Sequence, residues 1–136
     1  MRRFLIYIVL AISVFLIGSG PAMAESPEAV GPTAISMSYA DKLLGQKDVY
    51  FFDANTPDIW ASGHLPGAIF INKPDWQSLL PENKAATLVF YCVNRLCYAS
   101  IEAGTEAIRL GYTNVLQMPE GVYGWITSGR PVERGE

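Results

Sequence analysis

The chain of 136 residues contains two cysteines, and both lie in the segment 88–100, LVFYCVNRLCYAS. An apolar run ends at Cys92, a short polar loop follows, and Cys97 stands where a helix is predicted to begin. Two thiols at this spacing could form a structural disulfide, supply half of a metal site, or provide a reactive thiolate with a helper. A metal site is the weakest interpretation, because the spacing differs from Cys-x2-Cys and the chain has one histidine.

The predicted surroundings of Cys92 favour nucleophilic sulfur chemistry. Cys92 ends a predicted strand shortly before the longest predicted helix, so the positive end of the helix dipole favours its thiolate. Amides of the intervening loop could stabilise the same thiolate, an anionic persulfide or an incoming oxyanion. Arg95 adds one positive charge for an anionic donor such as thiosulfate. The loop residues predicted to bind the anion are Val93, Asn94, Arg95, Leu96 and Tyr98.

Strands and helices alternate around this loop. Short runs that are apolar on both faces predict strands at 48–55, 68–71, 86–92 and 113–118. Segments with capping and stop residues predict helices within 36–46, 56–63, 73–85, 98–110 and 119–131. This order predicts a parallel α/β sheet with helices on both faces. Ligands of such sheets bind beyond the carboxyl ends of the strands, which is where Cys92 is placed.

The first 24 residues are predicted to be a secretory signal peptide. Two arginines precede an uncharged apolar run at 4–17, and the small-x-small sequence Ala22-Met23-Ala24 follows. We therefore expect an exported protein, periplasmic or, where there is no outer membrane, secreted. An uncleaved segment would instead hold it at the membrane. Residues 25–34, rich in Pro, Gly and small side chains, are predicted to be a flexible lead-in to a domain at 35–136.

The charge argues against nucleic acid as a partner. The formal net charge is −3, and cleavage after Ala24 would remove Arg2 and Arg3 and leave −5. A mildly acidic domain without a basic patch lacks the electrostatic footprint of a nucleic-acid-binding protein.

Three ordered segments resemble the single-domain rhodaneses. FFDANTPDIWASGHLPGAIFI (51–71) is similar to the first signature of that family, VFYC (89–92) to its active-site strand, and LGYTNVLQMPEGVYGWITSGRPVE (110–133) to its closing segment. The resemblance implies a three-layer α/β fold with a mostly parallel central sheet and helices on both faces. It also implies that Cys92 takes a sulfane sulfur from a small anionic donor and passes it to a thiol or cyanide acceptor. No cofactor is implied.

The loop after Cys92 departs from the common family sequence Cys-x-x-Gly-x-Arg-Ser. Arg95 stands at the glycine position, Cys97 at the arginine position and Tyr98 at the serine position. The loop is more similar to a rhodanese subgroup with Cys-x-Asn-x-x-Cys-x-Ala-Ser, matched here by Cys92, Asn94, Cys97, Ala99 and Ser100. Related phosphatases carry Cys-x5-Arg, but Tyr98 occupies that arginine position, so we reject phosphatase activity.

Cys97 has three interpretations. It could resolve a Cys92 persulfide by releasing sulfide and forming a disulfide, it could hold a redox-sensing or stored disulfide, or it could be a small packed side chain. Four intervening residues permit the Cα separation of a disulfide but do not guarantee it.

Three further residues are predicted to support the site. His64 belongs to GHLPGA, a turn in the family, and is expected to make a structural hydrogen bond rather than act as a base. Asp53 ends a strand at the same sheet edge, and it is expected to hydrogen-bond the turn around His64 or to orient the loop. Ser100 could cap the helix or reach the sulfur of the active cysteine, and capping is the expected role.

Three functions therefore remain open. The first is an exported sulfurtransferase with a persulfide on Cys92. The second is a thiol–disulfide partner of an exported redox chain that uses the pair of Cys92 and Cys97. The third is a non-catalytic rhodanese module that binds a partner. The presence of Cys92 favours the first, because degenerate relatives typically lose this residue.

Overall fold

The computed structural model describes Gly20 and residues 30–135. Apart from Gly20, the predicted signal peptide lies outside the described residues. Five strands form one sheet in which every neighbouring pair is parallel, in the order β1-β5-β4-β2-β3. The strands are β1 (Thr33–Ala34), β2 (Val49–Asp53), β3 (Ile69–Phe70), β4 (Thr87–Tyr91) and β5 (Asn114–Met118). The predicted α/β fold with a parallel sheet is confirmed.

Helices follow the strands, as the capping and stop residues predict. They are α1 (Met37–Leu43), α2 (Pro57–Ser62), α3 (Ala99–Arg109) and α4 (Gly121–Thr127), with a short 3-10 helix at Trp76–Leu79. Ser36 caps α1 by accepting a hydrogen bond from the amide of Tyr39 at 3.2 Å. Among the residues that the structure describes, no helix is long and apolar enough to cross a membrane.

The domain begins two residues earlier than the sequence predicts. Thr33 and Ala34, assigned to the flexible lead-in, form the edge strand β1 against β5. The amide of Ile35 continues this pairing by donating to the carbonyl of Gln117 at 2.8 Å. Composition alone favoured a loop, but an open sheet edge offers unpaired backbone groups to any extended segment beside it.

The sheet buries a separate hydrophobic cluster on each face. Phe51, Val89 and Tyr91 pack with α1 and α4 on one side, and their strand neighbours pack with α3 on the other (Phe52, Leu88 and Phe90). Successive residues of a strand point to opposite faces, so both faces of β2 and β4 must be apolar. The loop that leaves β4 consequently has α3 on one side and α4 on the other.

Candidate active site

Cys92 and Cys97 are joined by a disulfide, with their Cα atoms 6.2 Å apart. Cys92 directly follows Tyr91, the last residue of β4, and is 4% exposed. Cys97 is partly exposed and precedes Tyr98, the N-cap residue of α3. The interpretation of Cys97 as a small packed side chain with no bond to Cys92 is therefore wrong, and the two interpretations that involve a disulfide remain.

The start of α4 holds the backbone of the cysteine loop. The carbonyls of Cys92 and Val93 accept hydrogen bonds from the amides of Val122 and Tyr123, each at 2.9 Å. Gly121 permits this approach, since its φ is +64° and a Cβ there would lie 2.5 Å from the carbonyl oxygens of Cys92 and Val93. The sequence does not predict this contact with the cysteine loop, because it indicates only that Gly121 precedes a helix.

The side chain of Asn94 shapes the loop from within. The side-chain Oδ1 of Asn94 accepts a hydrogen bond from the amide of Leu96 at 2.9 Å, and the backbone carbonyl of Asn94 accepts one from the amide of Cys97 at 3.2 Å. In this conformation Leu96 cannot offer its amide to an anion, contrary to the prediction. The amides of Val93, Asn94 and Arg95 donate to no other described residue, so they remain free to bind one.

The predicted cation of the loop is already paired. Nη2 of Arg95 lies 2.5 Å from Oε1 of Glu120, the residue before α4. An anionic donor at Arg95 would therefore compete with Glu120. The sequence does not predict this ion pair. Leu96 and Tyr98 are 85% and 70% exposed, so the outer face of the loop carries two accessible large hydrophobic residues.

The sequence matches the rhodanese-like domain over residues 36–128. This chain belongs to the rhodanese-like family. A search of curated protein sequences gives no match.

Solved structures with the rhodanese fold superpose well on this domain. A protein from Bacillus halodurans is 20% identical, with 75% of this chain and 77% of that chain covered and a TM-score of 0.66. The polysulfide-sulfur transferase homodimer from Wolinella succinogenes is 20% identical, with 77% and 80% covered and a TM-score of 0.63. A thiosulfate sulfurtransferase from Pseudomonas aeruginosa is 24% identical, with 79% of this chain but 20% of that chain covered and a TM-score of 0.66. At these identities the likeness shows the fold.

His64 of the rhodanese domain is held by contacts of both its ring and its backbone. Its Nδ1 lies 2.9 Å from the carbonyl oxygen of Trp60, and its ring stacks on the Trp60 indole with the ring centroids 3.4 Å apart. Its backbone exchanges two hydrogen bonds with Glu133, at 3.0 and 2.9 Å. These contacts tie the turn to the end of the domain, in agreement with the structural hydrogen bond that the sequence predicts.

Asp53 lies at the end of β2, opposite Tyr91 in the strand that precedes Cys92. It is fully buried, and its Oδ1 accepts a hydrogen bond from the amide of Asn55 at 2.8 Å. Burial raises the pKa of Asp53, and hydrogen bonds with Tyr91 and Asn55 partly offset this effect. The Tyr91 hydroxyl also accepts a hydrogen bond from the amide of Leu65, next to His64, at 3.1 Å. Tyr91 thus links the GHLPGA turn, along the chain, to Cys92.

Substituting Asp53→Asn is expected to remove a pH dependence of stability. The folded state binds the Asp53 proton more tightly than the unfolded chain does, where the carboxyl titrates near 3.8. The contribution of this protonation to the free energy of unfolding is therefore complete below pH 3.8, and it is lost as the pH rises through the raised pKa of Asp53. The loss amounts to about 1.4 kcal/mol for each unit by which the pKa is raised.

Urea denaturation of both proteins between pH 3.5 and 7 measures this effect. The free energy of unfolding should fall with pH more steeply in the wild type than in Asp53→Asn, which keeps an oxygen to accept the Asn55 hydrogen bond. Parallel curves would contradict a raised pKa.

Ser100 does not cap α3, contrary to the prediction. The N-cap residue is Tyr98, and Ser100 is the second residue of the helix. The buried hydroxyl of Ser100 accepts a hydrogen bond from Nε2 of Gln117 at 3.1 Å. The helix begins just before Ser100, so this side chain joins the first turn of α3 to β5.

Proposed function

We propose that this rhodanese domain is a sulfurtransferase that carries a sulfane sulfur as a persulfide on Cys92. The observation that supports this most strongly is the position of Cys92 at the carboxyl end of β4. Its loop offers the free amides of Val93, Asn94 and Arg95, and the helix α3 of 11 residues begins seven positions after it. These groups favour a thiolate over a thiol and would stabilise the negative charge of a persulfide.

The reaction begins from the reduced form of the cysteine pair. The Cys92 thiolate attacks the outer sulfur of a thiosulfate-like donor, the sulfur–sulfur bond of the donor breaks, and sulfite leaves with the electron pair. A thiol or cyanide acceptor then takes the outer sulfur of the persulfide and the Cys92 thiolate forms again. No cofactor takes part in these steps.

Cys97 offers a second way to discharge the persulfide. Its thiolate attacks the Cys92 sulfur, the outer sulfur leaves as hydrosulfide, and a disulfide between Cys92 and Cys97 forms. The product of this step is the disulfide seen in the structure.

The same disulfide favours a second candidate function, thiol–disulfide exchange with an exported redox partner. The N-terminal 24 residues support export, to the periplasm or, where there is no outer membrane, out of the cell, because they have the layout of a signal peptide. This function requires a pair that oxidises reversibly. A pair that stays as a dithiol in an oxidising glutathione buffer would exclude it.

Intact-mass spectrometry of the protein with thiosulfate tests the first function. The protein is reduced, freed of reductant and incubated with thiosulfate, with the untreated disulfide form as the matched control. We expect the reduced form to gain one sulfur atom and the disulfide form to gain none, because its Cys92 sulfur is bonded to Cys97 and cannot act as a thiolate nucleophile.

Other outcomes of this experiment separate the alternatives. A loss of two hydrogens with release of sulfide would show that Cys97 resolves the persulfide. A reduced protein that gains no sulfur from thiosulfate and releases no sulfide contradicts the proposed donor class and favours a binding module.

A further inference from the structure

The two cysteines of the disulfide differ in their access to solvent. Cys92 is buried at the end of β4, and its carbonyl is covered by the start of α4 through the amide of Val122. Cys97 is partly exposed and stands between Leu96 and Tyr98, whose side chains extend into solvent. A thiolate that opens a disulfide must reach one sulfur directly, so access decides which one it attacks.

The loop can accommodate Cys92 as the departing thiolate. A disulfide opens faster when the departing sulfur is a stabilised thiolate. The amides of Val93, Asn94 and Arg95, which follow Cys92, donate to no other described residue and are available to a negative charge there. Access therefore sets the direction of opening, and the loop is compatible with its product.

We infer that an external thiol opens the disulfide by attacking Cys97, so that Cys92 is released first and as the thiolate. The attacking thiolate forms a new bond to Sγ of Cys97, the bond between the two cysteines breaks, and Cys92 departs with the electron pair. A second thiol then attacks the mixed disulfide and frees Cys97, so the pair gains two electrons and two thiols become a disulfide. Cys97 is thus the receiving position for the reducing partner and controls when Cys92 can accept sulfur.

This inference rests on the proposed function only in assigning sulfur transfer to Cys92; the site of attack depends on access. The reductant is identified by its chemistry as a thiol, and glutathione serves as the probe.

Peptide mapping with glutathione tests the site of attack. The disulfide form is mixed with excess glutathione and quenched at short times with N-ethylmaleimide in denaturant. Trypsin cleaves after Arg95, which lies between the cysteines, and separates them into peptides 85–95 and 96–109. We expect glutathione on the Cys97 peptide and maleimide on the Cys92 peptide, with a preference of about tenfold or more at the earliest times.

Equal labelling, or glutathione mainly on Cys92, would overturn the inference. The same reaction in concentrated urea is the control, because unfolding exposes both sulfurs and removes the folded loop. The preference should disappear there. If the preference persists in urea, it comes from the local sequence and not from the fold, and this result would also overturn the inference.

The mapping is independent of the sulfur-transfer experiment. Attack at Cys97 by glutathione, followed by failure of the reduced protein to take sulfur from thiosulfate, would support the inference and contradict the proposed function. Attack at Cys92 together with normal sulfur uptake would overturn the inference and support the proposed function.

Discussion

Substituting Cys92→Ser is expected to lower the rate of sulfur transfer from thiosulfate to cyanide by about a thousandfold or more, as loss of a covalent nucleophile does in other enzymes. A serine hydroxyl at the end of β4 would stay protonated at neutral pH and could not hold a transferable sulfur. The change is small in volume, so the fold should persist. Steady-state transfer rates of the reduced proteins, with circular dichroism to check folding, measure the effect.

Cys97→Ser is the matched control for this substitution. This variant makes the same replacement of sulfur by oxygen five positions along the chain. It also abolishes the disulfide, but it leaves Cys92 as a free thiol. We expect this variant to transfer sulfur without prior reduction and to accumulate the persulfide in the absence of an acceptor. A Cys92→Ser protein with a tenth or more of the wild-type rate would contradict the role of Cys92. An equal loss in both variants would mean that the sulfur passes through both thiols.

Substituting Gly121→Ala is expected to displace the cysteine loop and to lower both stability and sulfur transfer. The new Cβ would lie 2.5 Å from backbone atoms of Cys92 and Val93, which have no flexible side chain to move aside. The positive φ of +64° adds backbone strain to this overlap. We expect a loss of about 3 kcal/mol in the free energy of unfolding, the sum of the strain and of an overpacked contact.

Gly45→Ala separates the strain from the overlap. Its φ of +73° is close to that of Gly121, but no atom lies within 4 Å of the added Cβ. This control should lose about 1 kcal/mol through strain and keep the full rate of sulfur transfer in the reduced form. Urea denaturation and the transfer assay measure the two effects. Equal losses in both variants would show that the approach of α4 to the loop has no role in the site.

The local parts of the fold could be predicted from the sequence. Runs such as VYFFD and TLVFY are apolar on both faces because β2 and β4 are covered on both faces, and alternation of strands with capped helices implies a parallel sheet. Cys92 could be placed at a strand end for the same reason. The errors at β1 and Ser100, in contrast, involve partners on β5, which lies far from each of them in the chain.

The sequence by itself determined the fold class, the order of the elements after β1 and the placement of Cys92 between β4 and α3. These features depend on side-chain periodicity and on hydrogen bonds between near neighbours, which a sequence displays directly. Only the tertiary structure decided that Cys92 and Cys97 are bonded, that Arg95 is paired with Glu120 across 25 residues, and that Gly121 seats the loop. Each of these features depends on how loops and helices from separate segments meet at one sheet edge, and composition and spacing do not encode that geometry.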